Sequence, residues 1–199
     1  MQERQVSSDR LGAFSDAVIA VIITVMVLEL KAPEGPALAD LLPLWPTAIS
    51  YAASYVFIAV IWVNHHHLLH LVRHPTPRLI WLNFLHLFAV SLLPFATAWV
   101  AQSHMASAPV VAYASLFLLI DLAYLGFERA VLAQADQTVI SARARTLAQR
   151  RTLVAVLIFA AGAAVAPFMP LLGFAVVCCA LLLYLKPEMF NAAAARRES

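Results

Sequence analysis

The residues in this chain that could do chemistry are few, and most lie where a bilayer should exclude them. Ser15 and Asp16 sit about one turn inside an apolar run, six residues after Arg10. A second run ends in Trp62-Val63-Asn64-His65-His66-His67, followed by His70 and His74. A third carries Asn83 and His86 and then Leu93-Pro94-Phe95, and a fourth carries Asp121 with Tyr124 on its face. A central Asp costs roughly 2.5–3.5 kcal/mol to place in a membrane helix, so each such residue marks a site or a tightly satisfied structural group. His66/His70 and His70/His74 have the i, i+4 spacing of a helical metal site. No Cys, Asp or Glu stands beside them to complete it, so the histidines read as interfacial or network residues and no metal is expected. Histidine titrates near ~6.5, and with Asp16 and Asp121 it could build a proton relay. A hydrogen-bonded structural carboxyl is the plainer alternative for Asp121; Asp16 reads either as an interfacial acid helped by the positive end of its helix or, more sharply, as locked into a polar network with residues from other helices. The adjacent Cys178 and Cys179 cannot form a disulfide framework or a zinc site by their spacing, and face lipid or neighbouring helices.

The composition says what must position these residues. Of 199 residues, 63% are hydrophobic and 12% charged, against ~45–50% and ~25% in soluble domains. Disorder, a nucleic-acid-binding domain and an ordinary soluble enzyme are excluded at those values. The 13 basic and 11 acidic residues nearly cancel, leaving no global field to recruit a polyanion. Six stretches have the length and apolarity of a spanning helix, about 11–30, 44–63, 79–100, 109–127, 152–168 and 171–186. None reads as a cleaved signal peptide, since the first ten residues carry charges of both signs. Scarce Gly and long runs without alternation argue against a β-barrel.

Lysine and arginine then set the orientation. Arg4 and Arg10 precede the first span, and Arg73 and Arg78 separate the second from the third. Arg129, Arg143, Arg145, Arg150 and Arg151 separate the fourth from the fifth, and Lys186, Arg196 and Arg197 follow the sixth. Lys31 alone falls on the opposite side. Both termini and the basic loops are therefore expected in the cytoplasm, and the expected architecture is one all-α, six-helix unit over 1–199. The proline-rich segment 31–46 is expected outside and partly helical around 37–42. Pro167 and Pro170 bracket a tight hairpin, Pro94 kinks the third span, and the Arg-rich stretch before 152 extends the fifth span into the cytoplasm.

The first span is AVIAVIITVMVLEL beyond Asp16, rich in β-branched residues that are stiff at χ1. Helical spacing puts Ala17, Val21, Thr24 and Leu28 on one face, with Glu29 at its outer end. In a lone chain this is a core helix; a ring of such helices would make an apolar constriction that gates by dewetting or steric closure. No Walker, GxSxG, HExxH or GxGxxG motif is present, so no enzyme activity is expected. TVGYG is missing as well, and no inverted repeat of the transporter kind is visible.

The run Arg10-Leu-Gly-Ala-Phe14-Ser15-Asp16, with AVIAVIITVMVLEL after it, fits RxxxFSD and resembles the first helix of the transmembrane protein 175 family, the endolysosomal potassium channels and their bacterial relatives. Trp62xxHis65-His66, Arg78xxxxAsn83 and Leu93-Pro94-Phe95 continue the likeness in order, over about residues 10–100. The resemblance implies a homotetrameric, potassium-permeable channel of the bacterial inner membrane, with permeant potassium ions, a lipid bilayer and no cofactor or nucleic acid. It implies that helix 1 of each copy lines the pore. The constriction position is then Val21, one methylene smaller than the Ile or Leu usual there, with Thr24 contributing to selectivity and Val25 or Leu28 as a further apolar layer. Arg10, Phe14, Ser15, Asp16, Trp62, His65, His66 and Asn83 become the network that braces helix 1, and Glu29 a ring of acids at the outer mouth. The rival expectation is a proton-coupled transporter or proton-conducting protein using Asp16, Asp121 and the histidines.

Overall fold

In a bilayer every backbone N–H and C=O must find its partner within the segment, so apolar runs of this length fold as helices. The structure, a computed structural model, describes residues 8–72, 74–135 and 140–184. Among these residues all regular structure is helical: α1 (Ser8–Leu28), a 3-10 segment (Leu38–Leu44), α2 (Trp45–Leu69), α3 (Pro77–Ser91), α4 (Leu93–Gln102), α5 (Ser107–Gln134), α6 (Ala142–Val165) and α7 (Pro170–Tyr184). Five stretches are long and apolar enough to cross a membrane, and α7 adds a shorter apolar helix. Arg4, Arg73, Lys186, Arg196 and Arg197, on which part of the expected orientation rests, lie outside the described residues, as do both termini.

The third expected span is two helices. Its break falls at Leu92, two residues before Pro94, because proline obstructs the turn that precedes it and not its own. The Leu92 N–H turns back to the carbonyls of Ala89 and Val90, and α4 restarts with Pro94 in its first turn, where a missing N–H costs nothing. The fourth span runs to Gln134, two turns past the expected boundary at 127. Its last carbonyls are capped by Arg145 of α6, whose guanidinium donates to Leu132 O and, at 2.7 Å, to Ala135 O. The four tryptophans stand near helix ends, with Trp81 74% exposed, as side chains of a membrane–water interface do.

Helix α5 is the centre of the chain's fold, packed against α3, α4, α6 and α7. Phe57, Phe117 and Phe159 from α2, α5 and α6 form an aromatic cluster in its core, with ring centroids 4.3–5.9 Å apart. The core continues to Ile19, Ile22 and Met26 of α1 and to Phe174 and Val177 of α7. Ser54, Thr97 and Tyr113 satisfy one another inside it, with Ser54 Oγ 2.7 Å from Thr97 Oγ1 and 2.8 Å from the Tyr113 hydroxyl. Helix α1 lies to one side, against α2, α3 and α4.

The α6–α7 hairpin closes on glycine. A Cβ on Gly173 would stand 2.7 Å from Ala166 Cβ and 2.8 Å from its Cα, so the helices meet backbone to backbone. Gly173→Ala should therefore force the hairpin apart and lower stability by about 1–3 kcal/mol, the range for an overpacked site. Thermal unfolding in detergent measures it, and an unchanged midpoint would contradict the close approach.

Candidate functional site

Helix α1 has two opposed faces. Leu11, Ser15, Ile19, Ile22 and Met26, spaced by three or four residues, are buried against the rest of the chain. On the other side Phe14, Ala17, Val21, Thr24 and Leu28 are exposed. Val21 is 58% and Leu28 80% exposed, values that leave these aliphatic side chains without a partner in their own chain, and Val25 flanks the stripe at 41%. The Thr24 hydroxyl donates to the Val21 carbonyl at 2.8 Å. With its proton directed along the helix, the oxygen lone pairs are left to the exposed side.

The N-terminal half of α1 is held by two strings of polar groups. In the first, Trp62 Nε1 of α2 donates to Asp16 Oδ1 at 2.8 Å, and His66 Nδ1 stands 3.9 Å from Asp16 Oδ2. The Trp62 and His66 rings stack at 5.3 Å, one helical turn apart, and the facing nitrogens of His66 and His70 share a proton at 2.9 Å. In the second, deeper string, Asn83 Nδ2 of α3 donates to Ser15 Oγ at 3.1 Å while Ser15 donates to Leu11 O at 2.9 Å. His65 Nε2 donates to Asn83 Oδ1 at 2.6 Å, which fixes its tautomer. The His65 ring is sandwiched between His86 (5.6 Å, 9°) and Phe127 (5.2 Å, 13°). Ser15, His65, Asn83 and His86 are all fully buried. Phe14 meets Phe84 edge-on at 5.3 Å, and Arg10 is exposed in the first turns of α1.

Glu29 stands just beyond α1, on the wall of a cavity of about 190 Å³ that Thr47, Tyr51, Gln102 and His104 also line. Lys31 lines the same wall, so a cation accompanies the acid there. Asp121 is 6% exposed and faces a small internal cavity with His86, Asn64 and Tyr124. Cys178 is half-buried and Cys179 exposed.

One buried acid is not anticipated by the sequence. Glu128, 2% exposed, accepts from the Thr152 hydroxyl of α6 at 3.1 Å, beside Arg151, whose Nη2 donates to Asn64 Oδ1 of α2 at 2.7 Å. Adjacent to Arg129, Glu128 reads as part of a charged loop, and only the two extra turns of α5 carry it inward.

A polytopic all-helical protein with an uncovered aliphatic stripe on one face of its first helix, and that helix pinned from behind by an Asp–Trp–His and a Ser–Asn–His string, is defined by these features. Residues 10–94 match the profile of the family described as endosomal/lysosomal potassium channel TMEM175. A potassium channel from Chryseobacterium is 42% identical over 123 residues, 62% of this chain and 64% of that protein. The mouse endosomal/lysosomal proton channel TMEM175 is 29% identical over 133 residues, 56% of this chain and 27% of that protein. The match thus spans less than two thirds of the length of either relative. The crystal structure of a lysosomal potassium-selective channel TMEM175 homolog from Chamaesiphon minutus superimposes with a TM-score of 0.78 at 26% identity, covering 89% of this chain and 96% of that one. The chain is thus similar to the TMEM175 family over residues 10–94, and its fold is that of a TMEM175 homolog.

Proposed function

We propose that this chain is one subunit of a homotetrameric, potassium-permeable channel, with α1 of each copy lining the axis and both termini on the cytoplasmic side of the plasma membrane. The observation that carries this reading is the opposition of the two faces of α1, one locked into the protomer and the other, through Val21 and Leu28, left aliphatic and uncovered. Around a fourfold axis the exposed stripe would become a stack of apolar rings, with the Thr24 hydroxyls at one level and Glu29 at the outer end. Such a constriction excludes ions by dewetting until it widens, and offers no cage of carbonyls to replace a hydration shell. Discrimination between potassium and sodium is therefore modest and depends on the Thr24 oxygens. Trp62, His65, His66, Asn83, Ser15 and Asp16 brace the pore helix and stay off the ion path.

Particle symmetry of the purified protein and thallium or potassium flux into vesicles test this together. Fourfold particles with α1 on the axis, and flux above empty vesicles, are expected. A monomer, or α1 on the outside, would overturn it. Thr24→Val keeps the shape and removes the oxygen; conduction should persist while the potassium-to-sodium permeability ratio falls about two- to threefold, or ~0.5 kcal/mol. The name of the mouse relative, together with a carboxyl as buried as Asp121, favours a second reading in which protons are the cargo. It requires Asp121→Asn to abolish flux and changes on α1 only to tune it.

A further inference from the structure

The cavity beside Glu29 is built within one chain, between the end of α1, the start of α2 and the end of α4. At about 190 Å³ it exceeds the ~150 Å³ that holds a benzene-sized molecule. Six polar side chains line it: Glu29, Lys31, Thr47, Tyr51, Gln102 and His104. Among the described residues none of the six makes a side-chain hydrogen bond or an ion pair, and Glu29 and Lys31 do not pair with each other. Ser50, fully buried, reaches the same space from α2. Its hydroxyl donates one long bond, 3.3 Å to Thr47 O, and among the described residues its oxygen accepts none. Met26, Leu44, Pro94 and Ala98 give the cavity its apolar floor. Convergent polar groups over such a floor are the usual form of a small-molecule site.

The walls are also polarised. Helix α1 ends here with no basic residue in its last turn, so its carbonyl end favours a positive group, and Glu29 adds a full negative charge. Helix α2 begins here with no side chain capping it, so its end favours a negative group, and Lys31 supplies a counter-charge. A ligand with one charge, of either sign, leaves Lys31 or Glu29 opposing it; a ligand with both pairs both. We propose that this cavity binds one small zwitterion, an ammonium and an oxyanion on a short apolar body. Free aliphatic amino acids and the ethanolamine phosphate headgroup of a lipid share that chemistry. The ammonium lies against Glu29, the oxyanion against Lys31 and the start of α2, and the body on Met26, Pro94 and Ala98. Gln102 and His104 close the α4 side. The turn carrying His104 places it and Met105 in the left-handed region, at φ 51° and 59°, which a Cβ disfavours. Met105, 2% exposed, anchors that turn in the core and so fixes His104 at the rim. Every group invoked belongs to a single chain, and the site does not rest on the channel reading.

Equilibrium dialysis of the full chain in an uncharged detergent tests this at constant ionic strength. The probes are leucine, glycerophosphoethanolamine, and two halves of leucine, 3-methylbutylamine and 4-methylpentanoate. At least one zwitterion should bind saturably, and each half at least about tenfold more weakly than leucine or the bound headgroup. Binding of leucine alone identifies a free solute, of glycerophosphoethanolamine alone a lipid headgroup, and of both a site that reads only the charge pair. Ala98→Phe fills the cavity without altering a polar group and should abolish binding. Lys31→Gln changes an exposed side chain, so folding is kept, and it should reverse the order so that the amine binds more tightly than either zwitterion. The proposal is overturned if neither zwitterion binds, if either half binds as tightly as the zwitterions, or if Lys31→Gln leaves the order unchanged. Unaltered binding in a folded Ala98→Phe overturns it as well.

Discussion

Cutting Val21 and Leu28 to alanine together should raise potassium flux at least about tenfold, equivalent to ~1.4 kcal/mol off the barrier, with almost no loss of stability. The two halves of that expectation have one cause. Val21 and Leu28 are 58% and 80% exposed in the protomer, so truncation removes little packing, and ordinary exposed substitutions stay within about ±0.5 kcal/mol. In the proposed tetramer the same side chains, gathered around an axis, would set the width and dryness of the constriction, and each methyl removed would let water and hydrated ions approach. Ile22→Ala and Met26→Ala are the opposite case. They neighbour Val21 and Leu28 on the same helix but are 5% and 1% exposed, and each should cost about 2–5 kcal/mol in stability while opening nothing. Single-channel conductance beside thermal unfolding in detergent separates the two faces. Should Ile22→Ala raise conductance and the Val21/Leu28 pair leave it unchanged, α1 turns its other face to the ions and the site assignment is wrong.

The stripe on α1 is legible in the sequence, because helical spacing alone groups Val21, Thr24 and Leu28. Spacing does not say which of two apolar faces is covered. That depends on α2, α3 and α4 arriving on the Ser15–Ile19–Ile22 side, a matter of long-range packing. Similarly, Asp16 announces itself as an acid in an apolar run, but nothing local pairs it with Trp62, 46 residues on; only the family resemblance suggests that link. Lone hydroxyls are quieter still. Ser54, Thr97 and Tyr113 sit on three helices with no pattern to join them, and are recognisable as a unit only from their 2.7–2.8 Å contacts. Glu128 shows the reverse failure, where a local signal misleads. A glutamate beside an arginine is the signature of a solvated boundary, yet α5 continues past it because Arg145 caps the helix further on.

Of the bracing residues, Asn83 should be the costliest to lose. Asn83→Leu keeps the branched heavy-atom shape of asparagine, with bulkier methyl ends, and removes both polar contacts at a fully buried position. The His65 Nε2–H is left without its 2.6 Å acceptor, between two aromatic rings where no water reaches, and Ser15 Oγ loses the amide donor at 3.1 Å. Each orphaned buried group costs about 1–3 kcal/mol, so a loss of roughly 2–4 kcal/mol is expected, moderated because the Ser15 proton keeps its bond to Leu11 O. Conduction should fall with it, since Ser15 is the deeper of the two points at which α1 is pinned, leaving Asp16–Trp62 to hold the helix alone. A general packing defect would give a similar loss, and a second substitution distinguishes them. His65→Phe preserves the stack with His86 and Phe127 while removing the stranded N–H. Replacing both partners by apolar groups of similar shape is close to neutral where removing one is not. The double variant Asn83→Leu/His65→Phe should therefore be more stable than Asn83→Leu alone, with a coupling of at least ~1 kcal/mol in the cycle. If His65→Phe instead adds its own cost to that of Asn83→Leu, the two residues do not act as a pair, and the deeper string does not brace the helix in the way its geometry implies.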